Sequence, residues 1–216
     1  MSQKDNRVKL KFLLKELIDH IDGPYFVGDG ALLGLIREGD LLAHDNDIDL
    51  FLLPGTTIKI PEDSMLKLSE YYMDSKVSDK FSENYKPKNS WKEFLDYTRM
   101  LPENKGINRA ELFKRSSAIY KERYIIPQFS LPYIDIFYLY EEYDRYIIPY
   151  WTDTYNQFFH KGEADNLVSN YSLGFEVKIP SNAQEILRRQ YGNWEIVDIN
   201  FRYTFATENQ NPFYSN

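Results

Sequence analysis

The sequence contains no cysteine. Disulfides, thiolate catalysis and zinc sites built on cysteine are thereby excluded. Positive charge is in deficit: 26 Lys and Arg stand against 33 Asp and Glu, for a net charge of −7. That balance speaks against general nucleic-acid binding, which needs a basic footprint, and leaves room only for a local basic pocket that meets phosphate. No stretch approaches 18 consecutive apolar residues, so nothing reads as a membrane span. The first residues, MSQKDNRVKLKFLL, show neither the apolar core nor the small-residue cleavage site of a signal peptide, and the expected location is the cytoplasm. Internal repeats and low-complexity tracts are also missing. What is present is an ordinary globular composition, 43% hydrophobic and 27% charged, over 216 residues. We expect one domain, 1–216, able to bury about 70% of its unfolded surface without staples. Aromatics are abundant, with 18 Tyr, 14 Phe and 3 Trp. They suit either core packing or a pocket for a sugar or nucleotide.

Hydrophobic spacing orders most of the chain. Leu10, Leu13, Leu14, Leu17, Ile18 and Ile21 recur at helical intervals and end at the turn Asp22, Gly23, Pro24. Tyr25, Phe26 and Val27 predict a short buried strand. Gly28, Asp29 and Gly30 break it, and a short helix follows over 31–37. Residues 45–53 alternate acid and apolar before becoming wholly apolar, which predicts a strand with carboxylates at its start. Residues 63–73 carry a weaker helical pattern, and 108–123 a helix-like mix. Residues 132–140 form the next strand, with 145–148 as a hairpin partner. A strand over 176–179 precedes a helix over 182–191, for which Ser181 and Gln184 suggest a capping box. The aromatic, polar stretch from 194 onward is expected to wrap the surface.

The chemistry concentrates at Asp47 and Asp49. In a strand, residues i and i+2 share a face. Two carboxylates side by side repel, and leaving both ionised beside an apolar run is costly unless a cation sits between them. Magnesium takes oxygen ligands and combines one or two carboxylates with substrate phosphates. Asp135, a lone acid in an apolar strand, is the natural third ligand. The alternative is a solvated turn at Asp47 and Asp49, with Asp135 as a cap. Gly28, Gly30 and Gly34 bracket a strand-to-helix junction whose free N–H groups suit phosphate. Arg37 closes that helix, either as a bidentate partner for a diphosphate or as a surface cation.

These residues carry a resemblance. GALLGLIREGDLLAHDNDIDL (30–50) resembles the signature of the LicD family, related to fukutin: a glycine turn, an arginine, then an acid run closing in Asp-Ile-Asp. YIDIF (133–137) is similar to that family's third-acid strand, and VKIPSNAQEILRRQYGNWE (177–195) to its C-terminal element. The resemblance implies an α+β fold, a nucleotidyltransferase-like small mixed sheet with flanking helices, here with an inserted variable segment at about 54–131. It implies that Asp47, Asp49 and Asp135 hold Mg²⁺, or Mn²⁺ in its place. Asp135 or Asp45 is then the base for an acceptor hydroxyl. Gly30, Ala31, Gly34, Arg37 and His44 fall where the donor lies. Asp29, Ala31, His44 and Asn46 depart from the family pattern, which has small residues, Thr or Ser, Trp and Asp at those places.

The implied function is transfer of a phospho-alcohol, such as phosphocholine or ribitol phosphate, from a CDP-activated donor to a sugar hydroxyl. The acceptor is a glycan or lipid-linked sugar of a surface polysaccharide such as a capsule or lipopolysaccharide, met in the cytoplasm or at the inner membrane face. Residues 54–131 are expected to shape its pocket. Two rivals use the same residues: a nucleotidyltransferase passing NMP from an NTP to a small molecule, and a non-catalytic nucleotide-binding relative.

Overall fold

The computed structural model describes residues 3–72, 120–126, 132–148 and 158–198. The described residues form an α+β fold, with one mixed sheet, three smaller antiparallel sheets and helices beside them. Helix α1 (Gln3–Ile18) buries Leu10, Leu13, Leu14 and Leu17 completely, an i, i+3, i+4, i+7 stripe. Burial of one such leucine contributes about 1.5–3 kcal/mol. The helix stops short of Ile21. Ile21 and Asp22 leave it as strand β1 (Ile21–Asp22), which pairs antiparallel with β4 (Thr57–Ile58).

The central sheet has five strands in the spatial order β2 (Tyr25–Gly28), β3 (Asp47–Leu52), β7 (Tyr133–Tyr138), β6 (Tyr120–Ile125) and β5 (Lys67–Tyr72). β3 and β7 are parallel, and every other pair is antiparallel. Helix α1 packs across β3 and β7. Chain reversal between β2 and β3 is made by helix α2 (Asp29–Arg37), which starts without an intervening loop.

Three departures from the sequence expectations stand out. The helical pattern at 63–73 gives way to β5, because pairing with β6 over six residues outweighs a weak local period. The C-terminal part of 108–123 belongs to strand β6, and 108–119 lie outside the described residues. β4, β5 and β6 all come from 54–131, so this stretch supplies an edge of the central sheet.

Beyond β7, strands β8 (Tyr140–Glu142) and β9 (Arg145–Ile147) form the expected hairpin, and β10 (Phe158–His160) joins its far edge. Arg145 and Glu142 pair across the hairpin, both buried, at 2.9 Å. Helix α3 (Lys161–Ala164), strands β11 (Leu167–Asn170) and β12 (Val177–Pro180), and helix α4 (Ala183–Tyr191) complete the described chain. The capping box expected at Ser181 and Gln184 is not formed: Asn182 caps α4 and makes no side-chain cap bond. A box forms at α3 instead, where the His160 backbone N–H donates to Glu163 at 2.8 Å.

The core is aromatic on one sheet face. Phe26, Phe51 and Phe137 stack in register across β2, β3 and β7, with centroids 5.4 and 5.3 Å apart. Phe159 of β10 closes on Phe26 and Phe51.

Candidate metal centre and active site

The site grows out of the parallel pair β3 and β7. Asp47, Asp49 and Phe51 fall on one face of β3 by the two-residue period of a strand. Register sets Asp135 directly opposite Asp49, and Phe137 opposite Phe51. The acids therefore sit on the same face as the phenylalanine cluster, toward the start of both strands. Candidate ligand atoms of Asp47, Asp49 and Asp135 all lie within 4.8 Å of one another. Asp135 is only 1% exposed, while Asp47 and Asp49 are half-buried.

Three carboxylates this close, one of them buried, fit a hard divalent cation. Oxygens on opposite sides of one magnesium ion stand roughly 4.2 Å apart, so the cluster has about the width of one ion. The donor set is all oxygen, which suits magnesium or manganese and disfavours softer metals.

On the other flank of Asp49, register places Gly28 opposite it. A Cβ at Gly28 would lie 2.1 Å from the Phe51 ring, so only glycine fits. Across the sheet, Arg123 occupies the register position opposite Asp135. Asp29 follows Gly28 at φ 46°, in the left-handed region that L-residues seldom adopt. It turns β2 straight into α2.

Asp45 precedes β3 and reaches over the start of α2. A Cβ on Gly30 would meet Asp45 Oδ2 at 3.0 Å, so the glycine admits this carboxylate. Burial pushes the Asp45 carboxyl up to about 6; Asp47 and Glu38 add to the rise, against the pull of His44 and Arg37. His44 is exposed, its Nε2 3.8 Å from Asp45 Oδ1.

Arg37 lies at the far end of α2. It donates to Glu38 Oε1 at 3.0 Å and to the Trp194 carbonyl at 3.3 Å. Ala31 is buried in the core. At Gly34 a Cβ would meet the Asp40 carbonyl oxygen at 2.6 Å, so packing against the 40–42 loop accounts for that glycine. The structure thus brings Asp47, Asp49 and Asp135 together, with Asp45 and Gly30 beside each other at the start of α2. Arg37, His44 and Asp45 line a cleft of about 890 Å³ with Leu33, Leu42 and Trp194. Its far wall is drawn from 191–198, whereas from sequence the stretch from 194 onward is expected to wrap the surface and is assigned no part in a pocket. None of the described residues of 54–131 lines this cleft.

The arginines at 188 and 189 divide. Arg188 is exposed and bonds Glu185. Arg189 forks onto Glu163 at 2.8 and 2.9 Å and donates to the Phe158 carbonyl, fastening α4 to β10 and α3. Burial alone would raise the Glu163 carboxyl, but the Arg189 fork and the His160 N–H hold it below its ordinary value.

The mixed sheet presents three acids from two parallel strands, with a helix starting beside them, an arrangement that could hold a metal ion. Residues 22–132 match the family described as LicD/FKTN/FKRP, nucleotidyltransferase domain, and the chain belongs to the LicD family. That membership implies, in general, a metal-dependent phosphotransferase of the CDP-alcohol type with a glycan acceptor. The matched span holds Asp47 and Asp49 and ends before Asp135, which joins them through the β3–β7 register. No curated protein matches the chain. Among the described residues, no helix is long and apolar enough to cross a membrane.

Proposed function

We propose that this protein is a magnesium-dependent phosphotransferase. It moves a phospho-alcohol from a CDP-activated donor to a sugar hydroxyl of a cell-surface glycan and releases CMP. The observation that carries this reading is the convergence of Asp47, Asp49 and Asp135. These three hold the ion, magnesium or manganese. When bound, it supplies positive charge that neutralises the donor diphosphate.

The chain's own residues do the rest. The start of α2, which follows directly on Gly28 opposite Asp49, offers its free backbone N–H groups to the donor phosphates. Arg37 and His44, on the cleft wall, meet the donor's nucleotide end. Asp45 lines the cleft, feels the charge of Asp47 and is more open than Asp135, so it takes the acceptor proton. The acceptor oxygen forms a bond to the phosphorus bearing the alcohol. The bridge to CMP breaks, and the hydroxyl proton passes to Asp45. The acceptor is a glycan or lipid-linked sugar met in the cytoplasm or at the inner membrane face, and we assign its pocket to residues of 54–131.

The deciding experiment is calorimetric titration of CDP-choline, CDP-ribitol, CDP-glycerol and CTP, with and without Mg²⁺, against the wild type and Asp49→Ala. The expected result is Mg²⁺-dependent binding of one CDP-alcohol that Asp49→Ala abolishes. Binding of CTP alone, with pyrophosphate release in turnover, establishes instead the NMP-transfer reading, which the nucleotidyltransferase character of the matched domain favours as the second choice. Binding that ignores both Mg²⁺ and Asp49→Ala refutes the acid cluster as the active centre.

A further inference from the structure

Asp29 is a departure from the family pattern that the proposed chemistry leaves unused. It is 3% exposed and holds a positive φ, at the joint between the strand that flanks Asp49 and the helix whose first turn lies under Asp45. A buried carboxylate on a strained backbone persists only where its surroundings hold it. One of its holders comes from the other end of the chain. Gln190, in the last turn of α4, donates from Nε2 to Asp29 Oδ1 at 3.2 Å. The Gln190 Oε1 is buried and has no hydrogen-bond partner among the described residues. A flipped amide would set that oxygen against the carboxylate, so the side chain is committed to donating to Asp29.

α4 is itself fixed independently. Arg189, the neighbouring residue, bonds Glu163 and the Phe158 carbonyl, and its guanidinium lies 4.8 Å from the Phe158 ring centroid. Gln190 thus reaches Asp29 from a rigid support.

We propose that Gln190 is a positioning residue for the active centre. By holding Asp29 it fixes the 28–30 bend, which joins Gly28, set beside Asp49 by the strand register, to Gly30 beneath Asp45. The inference rests on reading the acid cluster as a metal centre, and it adds a second contributor from outside the matched domain.

The test compares the wild type with Gln190→Leu, with Gln190→Glu, and with a double variant that combines Gln190→Glu and Asp29→Asn. Gln190→Leu removes the donor, and Gln190→Glu opposes two carboxylates. In the double variant the amide introduced at position 29 donates to the carboxylate introduced at position 190, so the bond is restored with its direction reversed. Two quantities are measured well below the unfolding temperature: amide hydrogen exchange over 26–32 in metal-free protein, and Mn²⁺ affinity by electron paramagnetic resonance. In both single variants, exchange over 26–32 is expected to quicken at least tenfold while the core of α1 is unaffected. Mn²⁺ affinity is expected to fall at least fivefold. The double variant returns both toward the wild type. Unchanged exchange in Gln190→Leu overturns the clamp. Faster exchange with Mn²⁺ affinity within twofold of the wild type also overturns the proposal, because the bond is then structural only. Equal Mn²⁺ binding by the wild type and Asp49→Ala removes the metal-centre reading, and with it the role given to Gln190; that failure shows in proteins with Gln190 intact.

Discussion

Replacing Gly28 by alanine isolates the packing beneath the acids. The backbone there is extended, with φ −129° and ψ −169°, so alanine meets no conformational penalty. The penalty is steric. The new Cβ falls 2.1 Å from Phe51 Cε2 and 2.5 Å from Cδ2, where carbon atoms rest about 3.5 Å apart or more. The ring must move by roughly 1.4 Å to relieve the nearer contact. Phe26, Phe137 and Phe159 stand 5.4, 5.3 and 5.1 Å from it, centroid to centroid, and all are fully buried. Overpacking of a closed core costs about 1–3 kcal/mol. With three neighbours blocking retreat, we expect Gly28→Ala to lose at least about 2 kcal/mol in urea denaturation. Phe51→Leu alone also destabilises, through the cavity it leaves. If the clash is the cause, the double variant Gly28→Ala/Phe51→Leu is more stable than the sum of the single losses by about 1–3 kcal/mol. A loss below about 0.5 kcal/mol in Gly28→Ala, or strict additivity in the cycle, would refute the argument.

Asp49→Asn is expected to lower transfer at least 100-fold and to weaken Mn²⁺ binding by a similar factor, with little change in melting temperature; steady-state kinetics and metal titration check both. Asp45→Asn is expected to lower the transfer rate at least tenfold while Mn²⁺ affinity stays within about threefold, because Asp45 lies beside the ligand cluster and outside it. Arg189→Met removes both arms of the Glu163 fork and is expected to cost about 2–4 kcal/mol in urea denaturation near pH 7. The Glu163 carboxyl titrates below its ordinary value, so its contribution to stability is full above the unfolded-state pKa, near 4.5. It is lost as pH falls through the lower folded-state pKa; Glu163→Gln flattens that limb of the stability–pH curve.

Elements that carry their own period were legible in the sequence. The leucine stripe of α1 survives because it is a buried face. β3 and β7 were visible as apolar runs carrying isolated acids, and the acids could be paired because i, i+2 spacing fixes a shared face. β5 was not legible: residues 67–72 have no decisive period, and the strand exists through its pairing with β6. The same holds for the site. Asp47, Asp49 and Asp135 could be nominated by residue type and strand context. The hold of Gln190 on Asp29 joins residues 161 positions apart, and no local pattern announces it. Gly28 read as a turn residue, and its need for glycine comes from the Phe51 ring on the next strand.

The acid cluster depends on a single register. Asp135 meets Asp49 only because Tyr133 pairs with Asp47 and the two strands run parallel from there. A slip of one residue would turn Asp135 to the opposite sheet face and bring Ile134 or Ile136 toward the acids. Apolar burial opposes that slip. It would expose Ile134 and Ile136 or drive Asp135 into their core, and it would break the Phe51–Phe137 stack. Parallel strands need a long crossover, and here β5 and β6 form part of it and then brace β7 from its other edge. The register that assembles the three carboxylates is therefore held from both sides: by β2 and its phenylalanine on one flank of the pair, and by β6 on the other. The repulsion among three acids is borne by aromatic packing one step further along the same strands.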